Sequence, residues 1–251
     1  MISVTIDNLK IEVEEGTTLL EAARRLGIRI PTLCDHPAVE PYGACRLCLV
    51  EVGTGDRTRL VTSCTYPARE GLQVATDSGR VQKARRFIIE LLLARCPNSS
   101  ELRETARRLG VESTRFPSPE RPANCILCGL CVRVCGELVG AAAIGFINRG
   151  IARAVETPFH EASGACIGCG ACVFVCPTGA VDVREGDREC RFETWHTGIE
   201  RARCAECGAP FATVEALARV KKALELPGEL LALCGRCRRK KAGMDLVSTG
   251  E

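Results

Sequence analysis

The 251 residues include 18 cysteines and carry a formal charge of +3 with thiols counted as neutral; four thiolate metal sites at about −2 each would take the loaded chain to about −5, so the small positive charge is no argument for nucleic acid. No apolar run approaches the roughly 18 residues of a membrane-spanning helix, the longest candidates being broken by Glu90 and Gly140. The N-terminus "MISVTIDNLKIEV" has neither a basic nor an apolar leader region, so the cysteines are expected to bind metal in a reducing cytoplasm, in three or four small modules stapled by ligand bonds rather than disulfides.

Residues 1–14 alternate apolar and polar, with Ile2, Val4, Ile6, Leu9, Ile11 and Val13 on one face and Asp7-Asn8 as turn residues, which predicts a β-hairpin. Gly16 breaks it, and Thr18 with Glu21 forms a capping box for a helix ending at Gly27. Hairpin then helix is the start of a β-grasp fold.

Cys34, Cys45, Cys48 and Cys64 follow in the pattern C-x10-C-x2-C-x15-C. It keeps the close pair and distant fourth thiol of plant-type [2Fe–2S] ligation while widening the first spacing. With four thiols available, His36 is expected to be a turn residue rather than a ligand. Through "GACRLCLVEV" at 43–52 the chain resembles the N-terminal [2Fe–2S] domain of the large iron–sulfur subunit of respiratory complex I. The same domain occurs in [FeFe]-hydrogenases, NAD-linked formate dehydrogenases and the diaphorase part of NAD-linked hydrogenases.

Val81, Ala84, Phe87, Ile88, Leu91 and Leu92 recur at helical spacing after Ser78, predicting a helix over 79–95, and a second is expected from about Ser100 to Leu109. In the family resembled, this region carries a histidine and three cysteines that ligate a further [4Fe–4S] cluster. Only Cys96 stands here, and one thiol cannot hold a cube, so that cluster is expected to be absent and Cys96 to be a buried thiol. Electrons must then pass between the N-terminal site and the next clusters by direct packing or through a partner. Residues 112–123, with three prolines in "ESTRFPSPERPA", read as a linker.

Two runs, "CILCGLCVRVC" and "CIGCGACVFVCP", repeat C-x2-C-x2-C-x3-C, the spacing by which thiolates hold [4Fe–4S] clusters. Zinc has no use for three closely spaced thiols with a fourth crossing over. Because the fourth cysteine of a run ligates the other cluster, Cys125, Cys128, Cys131 and Cys176 are assigned to one cubane, and Cys135, Cys166, Cys169 and Cys172 to the other. Gly136 stands where the first run would have the proline that the second has in Pro177. A hairpin turning at Asn148-Arg149-Gly150 is expected between the runs. The phrase "AAIGFINRGIARAVETPF" at 142–159 resembles the ferredoxin-like part of the hydrogenase diaphorase subunit, so the resemblance extends over about residues 1–185 with one internal gap.

"CAEC" at 204–207 and "CGRC" at 234–237 form two knuckles of two thiols, with a helix near 212–225 between them that stops before Pro227. Cys204, Cys207, Cys234 and Cys237 suit zinc, or a single rubredoxin-like iron. The basic run Arg238, Arg239, Lys240 and Lys241 lacks aromatic neighbours, which reads as a solvated face, with partner docking as the module's role and nucleic acid as the disfavoured alternative. Cys190 has no role in this scheme.

The expected chain is thus α+β: a β-grasp [2Fe–2S] domain over 1–78, a helical spacer and linker over 79–120, a ferredoxin-like module with two [4Fe–4S] clusters over 121–190, and a zinc-ribbon-like module over 191–251. No dinucleotide fingerprint or Walker loop is present and no catalytic residue is expected. The resemblance implies an iron–sulfur electron-transfer subunit of a cytoplasmic NAD(P)-linked complex. It would relay electrons between a flavin- and NAD(P)H-binding subunit and a catalytic hydrogenase subunit, or a formate dehydrogenase subunit. Electron-bifurcating complexes of this kind also serve soluble ferredoxin. A free-standing ferredoxin-like carrier and a redox-sensing regulator are the competing readings.

Overall fold

Residues 1–54, 57–120, 124–225 and 228–248 are described by the computed structural model; residues 121–123 of the expected linker and Pro227 lie outside them. The chain divides into one unit of Met1–Arg133 with Val175–Ala180 and another of Val134–Phe174 with Val181–Glu251. The expected module boundaries follow the sequence, whereas this division falls inside the two cysteine runs.

In the first unit, strand β1 (Ile2–Ile6) turns into β2 (Leu9–Val13) through Asp7 and Asn8, whose φ angles of 47° and 68° give a tight turn of the twist that hairpins need. Asp7 does more than turn the chain. Its carboxylate accepts from the backbone N–H of Thr76 at 2.7 Å and from the Thr76 hydroxyl. This ties the hairpin to β5 (Leu72–Ala75), which runs parallel to β1. With β3 (Leu49–Thr54) and β4 (Arg57–Thr62) the sheet has the order β2-β1-β5-β3-β4.

Helix α1 (Leu19–Arg25) begins with both halves of the capping box, Thr18 and Glu21 each accepting from the other's backbone N–H. It buries Leu19, Leu20, Ala22 and Ala23 in one core with Val4, Ile6, Val13 and Val50. Leu9, expected on that face, sits at the turn end of the hairpin and is 51% exposed.

Helix α2 (Gly79–Arg95) and helix α3 (Ser100–Arg108) start at the caps Ser78 and Ser99. The buried stripe of α2 is Val81, Arg85, Ile89 and Leu93, and Phe87 and Leu91 are 45% and 43% exposed. The apolar pattern therefore predicts the helix but not its inward face, which is set by Arg85.

In the second unit, β6 (Gly145–Ile147) and β7 (Ala154–Glu156) pair antiparallel around Asn148 at φ 57°. Beyond them lies a sheet absent from the sequence expectations. β8 (Val183–Glu185), β9 (Glu189–Phe192), β10 (Thr197–Arg203) and β11 (Pro210–Thr213) form an antiparallel meander. The expected boundary at 190/191 lies inside β9, and Cys190 is a buried residue of that strand opposite Ile199. Helix α4 (Val214–Leu224) is capped by Thr213, and α5 (Gly235–Ser248) ends the described chain. Among the described residues no helix is long and apolar enough to cross a membrane.

Candidate metal centres

Cys34, Cys45, Cys48 and Cys64 are all buried in the first unit. They form two pairs. Cys45 donates its backbone N–H to the Cys34 sulfur at 3.3 Å, and the Cys48 and Cys64 sulfurs are 3.3 Å apart. Hydrogen bonding from Cys45 holds the Cys34 thiol down at about 6, and hydrogen bonding from Cys64 holds Cys48 at about 7, while both partners are pushed up. Four buried thiolates cannot ionise together unless a cation compensates them, and this donor set fits a metal cluster. His36 is occupied locally, its Nδ1 accepting from the Ala38 N–H at 3.2 Å.

Arg85, 5% exposed, has no signature in the sequence pattern. Its Nε and Nη2 donate to the carbonyls of Leu47 and Leu49, at 3.0 and 2.7 Å, on either side of Cys48. Replacing Arg85 by leucine is expected to leave both carbonyls buried and unpaired, costing about 2–3 kcal/mol. The loss should appear as a lower unfolding midpoint of the metal-loaded chain.

Cys125 and Cys128 lie on a loop shaped by left-handed Leu127 and Gly129, at φ 55° and 75°, and Cys131 lies in the short helix Leu130–Arg133 that follows. Cys176 comes from the segment that returns to the same unit. The structure brings it to the first run: Cys128, which burial pushes up to about 11, also responds to the charges of Cys125 and Cys176. Backbone N–H groups of Leu127 and Ala180 donate to the sulfurs of Cys125 and Cys176 at 3.3 and 3.2 Å. Cys96 is buried nearby, and desolvation pushes its thiol up to about 11, the state of an inert thiol.

Arg133 links this loop to the N-terminal thiols. It sits between Cys131 and Cys135, and its guanidinium donates to the carbonyl of Cys34 at 2.7 Å and to that of Glu40, with its carbon 5.5 Å from the Tyr42 ring centre. A charged residue inside a run of ligands is the one trace of this link that the sequence carries.

Cys135, Cys166, Cys169 and Cys172 line one cavity in the second unit, closed by Phe192 at the end of β9 and Trp195 in the turn that follows. Gly168 has φ 64°, and a Cβ there would come within 2.7 Å of the Thr213 methyl, so only glycine lets the loop lie this close to β11. Thr213 also donates its hydroxyl to the Ile167 carbonyl at 2.5 Å. Four thiols lining one cavity, a backbone N–H from Ala143 to the Cys135 sulfur at 3.3 Å, and a buried indole N–H on the cavity wall that makes no hydrogen bond among the described residues suit an iron–sulfur cluster.

Cys204, Cys207, Cys234 and Cys237 converge with all four sulfurs within 4.8 Å of one another. The Cys207 and Cys234 sulfurs are 3.8 Å apart, matching the about 3.8 Å between thiolates held tetrahedrally at about 2.3 Å from zinc. One pair lies in the turn between β10 and β11, and the other at the first turn of α5. Arg238, Arg239, Lys240 and Lys241 are exposed on that helix.

Residues 1–79 match the 2Fe-2S iron-sulfur cluster binding domain family, and residues 165–213 match the 4Fe-4S dicluster domain family. The chain is 38% identical over 233 residues to a subunit of the NADH-quinone oxidoreductase of Rhizobium meliloti, covering 83% of this chain and 27% of that one. It is also 38% identical over 180 residues to the alpha subunit of the NADPH-Fe(3+) oxidoreductase of Geobacter sulfurreducens, covering 62% of this chain and 21% of that one. It thus spans about a quarter of the length of these curated relatives. Among solved structures it is similar to a chain of the crystal structure of an NAD+-reducing [NiFe]-hydrogenase in the H2-reduced state, with 34% identity, a TM-score of 0.56, and coverage of 62% of this chain and 75% of that one.

Proposed function

The chain belongs to the family of iron–sulfur electron-transfer subunits of NAD-linked oxidoreductases, and from that premise we propose that it relays electrons between a flavin- and NAD(P)H-binding subunit and a catalytic hydrogenase subunit in a cytoplasmic complex. A formate dehydrogenase subunit is the alternative partner. The clusters, when bound, supply one-electron transfer, and the protein's part is to hold, space and shield them.

Cys34 with Cys45, and Cys48 with Cys64, would each hold one iron of a [2Fe–2S] cluster in a β-grasp module, a reading favoured by the parallel β1–β5 pair with α1 over the sheet. Cys125, Cys128, Cys131 and Cys176 would hold one [4Fe–4S] cluster, and Cys135, Cys166, Cys169 and Cys172 a second. Cys204, Cys207, Cys234 and Cys237 would hold structural zinc, with a single iron as alternative. The observation that carries the relay is the Arg133 fork on the Cys34 and Glu40 carbonyls. It holds the N-terminal thiols and the first cubane loop in one packed unit, which supports a direct route between them over one through a partner's cluster.

Elemental analysis of anaerobically purified protein tests the cofactor set. About ten irons with about ten labile sulfides are expected per chain, together with about one zinc. About fourteen irons would overturn the reading by requiring a fourth cluster. Native co-purification should recover a flavin-containing partner; an unaccompanied, monodisperse chain that serves several enzymes would favour the free carrier.

A further inference from the structure

Trp195 is the single tryptophan of the chain and is 3% exposed. It closes the short helical turn Glu193–Trp195 between β9 and β10. Its carbonyl accepts the Thr197 hydroxyl at 2.6 Å, and His196 follows in the left-handed conformation, so the backbone around the ring is pinned on both sides. The ring lines the cavity of Cys135, Cys166, Cys169 and Cys172. Yet the buried Nε1 makes no hydrogen bond among the described residues.

An indole has one donor and no acceptor, and burying that donor unpaired costs about 1–3 kcal/mol. Phe192 beside it packs against the same cavity at no such cost. A polar atom of this kind, held rigidly against four converging thiols, lacks only an acceptor, and the electron-rich sulfurs of a bound cluster are the acceptors that the cavity would bring.

Building on the cluster assignment above, we propose that Trp195 donates its indole N–H to a sulfur of the four-iron cluster held by Cys135, Cys166, Cys169 and Cys172. A donor to cluster sulfur draws off negative charge and favours the reduced form, so this cubane is tuned to a higher potential than the same cysteines alone would set.

Two measurements on the full chain, loaded anaerobically, test this. In W195F, iron and sulfide should stay at about ten per chain, while one cubane shifts to lower potential and the other two centres do not move. Wild-type protein grown with indole-15N tryptophan should show 15N hyperfine coupling to one reduced cubane by pulsed EPR, and that coupling can come from no other tryptophan. Unchanged potentials in fully loaded W195F, or absence of the 15N coupling, overturn the inference while the cluster assignment stands. Should W195F lose its cluster, the wild-type 15N spectrum decides alone. A wild-type iron content near six, with the second cubane missing, overturns the cluster assignment and the inference with it.

Discussion

Replacing Cys176 by serine is expected to strip the cubane of the first cysteine run, not that of the second run to which Cys176 belongs in sequence. Cys176 packs in the unit that contains Cys125, Cys128 and Cys131, while Cys135 of the first run lines the cavity of Cys166, Cys169 and Cys172. A serine hydroxyl is a hard, neutral donor that does not replace a soft thiolate on iron. Iron should fall from about ten toward about six per chain, and end-to-end electron transfer should be lost. The decisive reading is which thiols become open to alkylation, followed by mass spectrometry. Cys125, Cys128 and Cys131 should be modified in C176S, and Cys166, Cys169 and Cys172 in C135S. The reverse pattern would mean that each run holds its own cluster.

Arg133→Gln is expected to release the loop over residues 34–42 and to lower the potential of the N-terminal centre. The guanidinium makes two hydrogen bonds to carbonyls ninety-odd residues away and rests on Tyr42. Hydrogen bonds from a charged donor contribute roughly 1.5–3 kcal/mol each, and partial solvent access places these at the lower end, for a total of about 3 kcal/mol. Its positive charge also favours the Cys34 thiolate, and a cation beside a cluster favours reduction, so its loss makes reduction harder. Faster proteolysis within 34–42, a more negative [2Fe–2S] potential and slower transfer to the first cubane should appear together with unchanged iron. Lysine at this position keeps the charge but cannot fork onto two carbonyls. R133K should therefore recover much of the potential and little of the protease resistance. If R133Q matches the wild type in all three, Arg133 is not the link between the two centres.

The parts of the fold that were legible in the sequence are those governed by neighbours along the chain. Asp7-Asn8 makes its turn, Thr18 and Glu21 make their capping box, and Ser78 and Ser99 cap their helices, because each needs only residues within three or four positions. The unexpected sheet over 183–213 left a weak trace in the alternation of Cys190 with Phe192 and of Thr197 with Ile199, whose strands are otherwise dense in charge. The face of α2 was unreadable for a different reason: an arginine counts as polar in any periodicity, and only the Leu47 and Leu49 carbonyls make burial of Arg85 favourable.

What the sequence by itself determined was the spacing of the candidate ligands: which cysteines gather in threes, which in pairs, and that only one cysteine and no histidine stands in the region of α2 and α3. Thiol spacing is a local property, set by how short a loop can wrap one cluster. What only the tertiary structure decided is which groups attend those thiols. Arg133 on the Cys34 carbonyl, Trp195 on the wall of the cavity lined by Cys135, Cys166, Cys169 and Cys172, and the closeness of Cys207 to Cys234 all join residues distant in the chain. Such pairings are worth their conformational entropy only once the sheets and helices have packed, and no local pattern can announce them.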